Sequence, residues 1–92
     1  MLKIVLIEDK SDRILRLEGR VIGPWVDELR RSCEPVLASG ARLTLDLFEV
    51  SFIDRDGIDL FRSLREREVA LTNCSPFVAE QLKASGGAGD GA

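Results

Sequence analysis

The stretch Val50-Ser51-Phe52-Ile53-Asp54-Arg55-Asp56-Gly57-Ile58-Asp59-Leu60-Phe61-Arg62-Ser63-Leu64 decides the fold. Phe52 and Ile53 run straight into Asp54, and apolar residues then recur at Ile58, Phe61 and Leu64, the spacing of a helix with one buried stripe. Asp54 suits the N-cap, where its carboxylate accepts backbone N–H groups of the next turn. A second acid in that turn, Asp56, is favoured by the partial positive charge of the helix end by about 0.3–1 kcal/mol. Arg55 opposes the same dipole, so it needs either Asp59, one turn on, or a carboxylate on another protein. Gly57 costs up to about 1 kcal/mol of helix propensity relative to Ala. That predicts a neighbouring backbone close to it. Asp59, Arg62, Arg65 and Glu66 are expected to face water.

Upstream of this junction, Leu43, Leu45 and Leu47 alternate with Thr44 and Asp46 as a strand, and Glu49-Val50-Ser51 reads as a loop anchored by Phe52 and Ile53. Further back, Val26, Leu29, Cys33, Val36 and Leu37 form an amphipathic helical stripe that opens at Gly23-Pro24. Pro35 interrupts the stripe, so a bend near Ser32 or a short second segment to Ala38 is expected, with Gly40 as the stop. Trp25, the only Trp, lies in the first turn of this helix, where it either packs on the core or anchors a partner. Leu2–Ile7 and the alternating segment around Ile14, Leu15 and Leu17 are separated by about five polar residues and pair as a hairpin. Gly19 ends that second strand or opens a bulge.

Downstream, Val69–Thr72 is a short strand. Ser75-Pro76 opens a last helix that can pack Phe77, Val78 and Leu82. Residues 84–92, rich in Gly, are expected to be disordered. The order β-β-α-β-α-β-α over residues 1–83 gives an α/β fold, a small single-domain mixed sheet of about four strands with three helices packed against it.

Composition narrows the function. A chain of 92 residues makes one small domain. Its net charge of −3 disfavours nucleic acid, which wants a basic face. Arg62, Arg65 and Arg67 are interleaved with Glu66 and Glu68 and read as a solvated helix face. There is no His and no Tyr, which removes the commonest general base and neutral metal ligand. No catalytic residue, metal site or cofactor is expected. Cys33 and Cys74 are far apart and read as small buried hydrophobes, both reduced in a cytoplasmic protein that does not insert into the membrane.

Two families share parts of this pattern. Lys3-Ile4-Val5-Leu6-Ile7-Glu8-Asp9, Leu45-Asp46-Leu47 and Asp56–Arg62 resemble response-regulator receiver domains. That likeness implies Mg²⁺ at Glu8 and Asp9 and phosphate on Asp46. A strand pattern follows the acidic pair here, where a receiver needs a full helix.

The second likeness covers nearly the whole ordered chain. Leu15–Arg20, Leu45-Asp46-Leu47, Val50–Asp54, Gly57-Ile58 and Asn73–Val78 resemble the STAS family, the anti-sigma factor antagonists and their relatives. Membership implies a non-catalytic interaction module that docks an anti-sigma factor kinase. The docking face would comprise Asp54, Arg55, Asp56, Gly57, Asp59 and Arg62. In phosphorylated members a Ser or Thr follows the Asp and a second hydroxyl comes next; here those places hold Arg55 and Asp56. The resemblance therefore implies no phosphoacceptor at the usual position, with Asp56 as a fixed charge or simply a helix-end acid. A phosphate on Ser51 or Ser63 would overturn the unswitched reading. Many relatives continue with a further strand and helix beyond the third helix pattern, so a smaller sheet or cover is expected, with an edge that favours a partner or a homodimer. The alternative within the family is a cytoplasmic subunit of a lipid ABC transporter that uses the same face on an ATPase.

Overall fold

The structure, a computed structural model, describes residues 2–90, with side chains described to Lys83. Strands β1 (Leu2–Asp9) and β2 (Asp12–Val21) lead into helix α1 (Pro24–Ala38). Strand β3 (Arg42–Ile53), helix α2 (Arg55–Glu66), strand β4 (Ala70–Thr72) and helix α3 (Pro76–Asp90) follow. The sheet order is β1-β2-β3-β4. β1 and β2 pair antiparallel through a tight turn, and β2–β3 and β3–β4 pair parallel. This is the mixed sheet with three helices that the sequence predicts. The expected disorder at 84–92 falls on residues whose side chains lie outside the described set, and 91–92 lie outside it altogether.

Alternation sorts the sheet into two faces. Leu15 and Leu17 of β2 and Leu43, Leu45 and Leu47 of β3 are buried on one face, together with Val26, Leu29 and Cys33 of α1 and Ile58, Leu60, Phe61 and Leu64 of α2. Val5, Ile7, Ile14 and Thr44 on the other face are only half-buried, and Arg16 is exposed. One apolar core therefore lies on the helix side, and no polar side chain is buried among the described residues.

β3 departs from the expected loop at Glu49–Ser51. It runs as one strand of 12 residues, with two register shifts against β2. Arg16 faces Asp46 but Glu18 faces Glu49, and Gly19 faces Val50 but Arg20 faces Phe52. Each shift inserts one extra residue in β3, a β-bulge that turns the strand. Buried positions accordingly run 43, 45, 47 and then 50 and 53. The period-two signal is lost at the bulges, which is why the segment reads as a loop from sequence. Gly19, at φ 117, sits at the second shift, and β2 continues past it to Val21.

The short second segment expected after Pro35 is corrected: α1 runs as one helix to Ala38. Pro35 lies in the last turn, where few bonds follow it. Ser39 donates its N–H to the carbonyls of Pro35 and Val36, and Val36 and Leu37 still pack on the core. The two thiols differ. Cys33 is fully buried, and burial pushes its pKa up to about 11. Cys74 is only partly buried, with its pKa raised for the same reason.

Candidate functional site

The junction is built around the Asp54 carboxylate. Oδ1 accepts the Gly57 N–H at 2.8 Å, the capping bond predicted from sequence. Oδ2 accepts the Gly23 N–H, also at 2.8 Å. Gly23 is the N-cap residue of α1, at φ 55, a left-handed conformation that suits Gly. One carboxylate thus ties together the starts of two helices, whose partial positive ends both point at it. The Asp54 N–H in turn donates to the Val21 carbonyl at 3.1 Å, fixing the end of β3 to the end of β2.

Gly57 is required by contact. A Cβ there would lie 2.6 Å from Ile53 Cγ2 and 2.8 Å from the Val21 carbonyl oxygen. Real side chains do not approach that closely, so α2 can sit this near the strand ends only through Gly. The predicted neighbouring backbone is that of β2.

A second clamp lies behind the junction. The Gln81 side-chain amide donates to the Ile53 carbonyl at 2.8 Å and accepts the Ile53 N–H at 3.2 Å. Ile53 is fully buried, as expected, but Phe52 is partly exposed and stacks on Phe77 of α3 with ring centroids 6.3 Å apart. Phe77 is 57% exposed, contrary to its expected packing, while Val78 and Leu82 carry the apolar contact of α3. Neither the Gln81 clamp nor the aromatic pair is legible in the sequence. A lone Gln on a helix and a Phe beside a capping Ser carry no periodic signal that separates contact from exposure.

On this fixed base the polar rim is open. Arg55, Asp56 and Asp59 are exposed and Arg62 is half-buried. Among the described residues none of the four is in an ion pair, so Arg55 does not use Asp59 as its counter-charge. The six candidate residues, Asp54 to Gly57 with Asp59 and Arg62, therefore divide. Asp54 and Gly57 hold the architecture, and the other four present charge to solvent. Ser51 and Ser63 are both exposed. Ser51 lies in β3 with its hydroxyl 3.4 Å from the Gly19 carbonyl, and Ser63 lies in α2.

The receiver arrangement is not formed. β1 pairs antiparallel with β2 in a hairpin, and Glu8 faces Arg13 at 3.6 Å. The Asp46 carboxylate accepts from Asn73 and from the Phe48 N–H, each at 3.1 Å, and lies 3.7 Å from Arg16. The Asn73 bond first, then the Phe48 N–H and Arg16, hold its pKa below the ordinary carboxylate value. Among the described residues no group of three or more His, Cys, Asp or Glu could hold a metal ion. None of the described helices is long and apolar enough to cross a membrane.

Comparison with known proteins adds a family to this geometry. The STAS domain model matches residues 3–88. Among solved structures, the unphosphorylated anti-sigma factor antagonist SpoIIAA superposes with a TM-score of 0.69 at 22% identity, over 88% of this chain and 82% of that one. An antisigma-factor antagonist STAS domain from Rhodobacter sphaeroides gives 0.63 at 16% identity, over 78% and 86%. An uncharacterised protein with a SpoIIAA-like fold from Shewanella loihica gives 0.58 at 13%, over 94% and 76%. No curated relative matches the chain.

Proposed function

Since the chain belongs to the STAS family, we propose that it is a non-catalytic docking module whose binding face is the first turns of α2, Asp54 to Arg62. STAS-type modules act by presenting a surface to another protein. The observation that carries the reading is the contrast within the junction. Asp54 and Gly57 are fixed by 2.8 Å bonds and by close packing, while Arg55, Asp56, Asp59 and Arg62 stand open without intramolecular ion pairs among the described residues. Preorganised backbone under unpaired charge lowers the ordering cost of association. The guanidinium of Arg55 is suited to a bidentate bond with a partner carboxylate.

The partner class is an anti-sigma factor of the kinase type, in a cytoplasmic partner-switch system. Without a hydroxyl at 55 or 56, the chain binds constitutively. Asp56 supplies one negative charge in the same first turn in which a phosphorylated relative would carry about two, on the residue at the place of Arg55. Phe52, two residues before Asp54, and Phe77 stacked on it supply an apolar margin to the face.

The test is a binding titration against an anti-sigma factor of the kinase type, with wild type, Arg55→Glu and Arg55→Ser. The charge reversal is expected to weaken binding at least tenfold, about 1.4 kcal/mol. Wild type incubated with kinase and ATP is expected to keep its intact mass, whereas Arg55→Ser gains a phosphate. Equal binding by all three variants would remove the proposed face, and a phosphate on wild-type Ser51 or Ser63 would remove the unswitched reading. Recovery of a transporter ATPase in place of a sigma-factor regulator would move the module to the lipid ABC transporter reading.

A further inference from the structure

β1 stands at the end of the sheet, and no strand lies on its outer side among the described residues. It is eight residues long and pairs with β2 without a register shift, from Leu2 facing Gly19 to Asp9 facing Asp12. Edge strands are normally blunted by Pro, by a bulge, by inward charge or by shortness. β1 has no Pro and no bulge, and its central residues Ile4 to Ile7 are all apolar. On the helix side of the strand, Leu6 is 49% exposed. It borders a groove of about 460 Å³ whose other apolar walls include Ile4, Leu15, Trp25 and Val36. Trp25 is half-buried: it packs against the core, as one of the two sequence readings expects, and also forms a wall of this groove.

We propose that a second copy of this chain pairs with β1 through β1, antiparallel, about a two-fold axis at Leu6. The pleat restricts the choices. In an antiparallel pair, opposed residues point to the same face, so a two-fold pairing must join residues of the same alternation class. With the axis at Leu6, Leu6 meets Leu6, Val5 meets Ile7, Ile4 meets Glu8, and Lys3 meets Asp9. With the axis at Val5, Lys3 would meet Ile7, leaving its ammonium against an apolar side chain, while Glu8 would again face an apolar residue, Leu2. The Leu6 axis instead forms two Lys3–Asp9 ion pairs, and neither residue has an ion-pair partner among the described residues of its own chain. Glu8, opposite Ile4, already faces Arg13 at 3.6 Å and brings no uncompensated charge. The paired chains share one continuous sheet, and the exposed Leu6 side chains cover each other between the two grooves. β1 lies at the edge of the sheet beyond β2, away from β3 and the α2 face, so this pairing does not rest on the docking face at Asp54 to Arg62.

Sedimentation equilibrium of the full chain tests it. The mass is expected to rise from 10.2 kDa toward twice that value with concentration. Lys3→Glu and Asp9→Lys each place like charges opposite one another in both symmetric pairs, and each is expected to raise the dissociation constant about tenfold. Lys3→Glu/Asp9→Lys swaps the charges and is expected to restore wild-type association, which no other interface would do. Leu6→Lys sets two ammonium groups against each other at the axis and is expected to leave only monomer. All these side chains are exposed, and circular dichroism verifies that each variant folds. A wild-type chain that stays monomeric at every concentration, a double swap that fails to recover, or a Leu6→Lys protein that still dimerises overturns the proposal.

Discussion

The two long sides of the sheet are finished in opposite ways. On one, β4 covers only Thr44–Asp46 of the 12-residue β3. The remainder of that strand would be an open edge, but α3 closes its end. Gln81 gives Ile53 both a donor and an acceptor, as a neighbouring strand would, and Phe77 lies over Phe52. On the other side, the whole outer edge of β1 is left bare among the described residues. The β3 end is thus satisfied from within, whereas the β1 edge is left to solvent or, as we propose, to a second copy of the chain. Substitutions at the β3 end should lower stability and leave the association state alone. Substitutions along β1 should do the reverse.

The largest break of that contrast is expected at Gly57. Gly57→Val drives a branched side chain into the Val21 carbonyl and Ile53. Overpacking of this kind costs about 3 kcal/mol, and Gly57→Ala about 1–2 kcal/mol. Urea unfolding followed by the Trp25 fluorescence reads both. An unchanged midpoint for Gly57→Val would mean that α2 can move off β2, and that the docking turn is not fixed by the junction.

Asp54→Ala comes next. It removes the cap of α2 and the bond to Gly23 together, an expected loss of about 2 kcal/mol. Asp54→Asn keeps one good acceptor oxygen and should lose about half as much. Sedimentation of either variant should show wild-type association. A changed dimer constant would show that the two sides of the sheet are coupled.

How much of this was legible follows from period and from partners. The helices were readable because three-residue and four-residue spacing of Val26, Leu29 and Cys33, and of Ile58, Phe61 and Leu64, survives folding unaltered. The cap at Asp54 was readable because its Gly57 bond is local, three residues away. Its second bond, to Gly23, spans 31 residues, and no local pattern encodes it. The same holds for Gln81, 28 residues from Ile53. The bulges of β3 read as a loop in the sequence because an extra residue converts a period of two into spacings of three, the signature of neither a flat strand nor a helix. Of the four open residues at the rim, Arg55 stood out in sequence because it opposes the helix dipole. That is a local conflict, and local conflicts are what a sequence shows best.

Gln81→Met tests the closed side directly. The substitution keeps length and apolar stem but removes both bonds to the Ile53 backbone, with an expected cost of about 1–2 kcal/mol. Amide hydrogen exchange at Ile53 should accelerate, and pairing along β1, distant in the sheet order, should not compensate the exposed strand end. If stability falls while a new concentration-dependent mass appears, the β3 end would have become a second sticky edge, and the contrast between the two sides would rest on Gln81 itself.

The smallest effect is expected where neither side of the sheet is involved. Arg67, at the end of α2, holds Glu34 of α1 with N–O distances of 2.9 and 3.4 Å. That bond, before any other influence, lowers the Glu34 pKa below its ordinary 4.5. The sign follows from the direction. A carboxyl whose folded pKa is depressed contributes stability that is fully present above the unfolded value and is lost as pH falls through the folded one. Glu34→Gln should therefore lie slightly below wild type in stability at neutral pH and converge with it in acid. Both side chains are about half exposed, so salt should shrink the neutral-pH gap as well. Asp46 shifts in the same direction through Asn73, Phe48 and Arg16, so it should contribute to an acid-dependent loss that persists in Glu34→Gln. Adding Asp46→Asn to that variant should remove the remaining dependence on the two groups. The dimer constant should be unmoved by Glu34→Gln, because its ion pair joins α1 to α2 and touches no residue of β1.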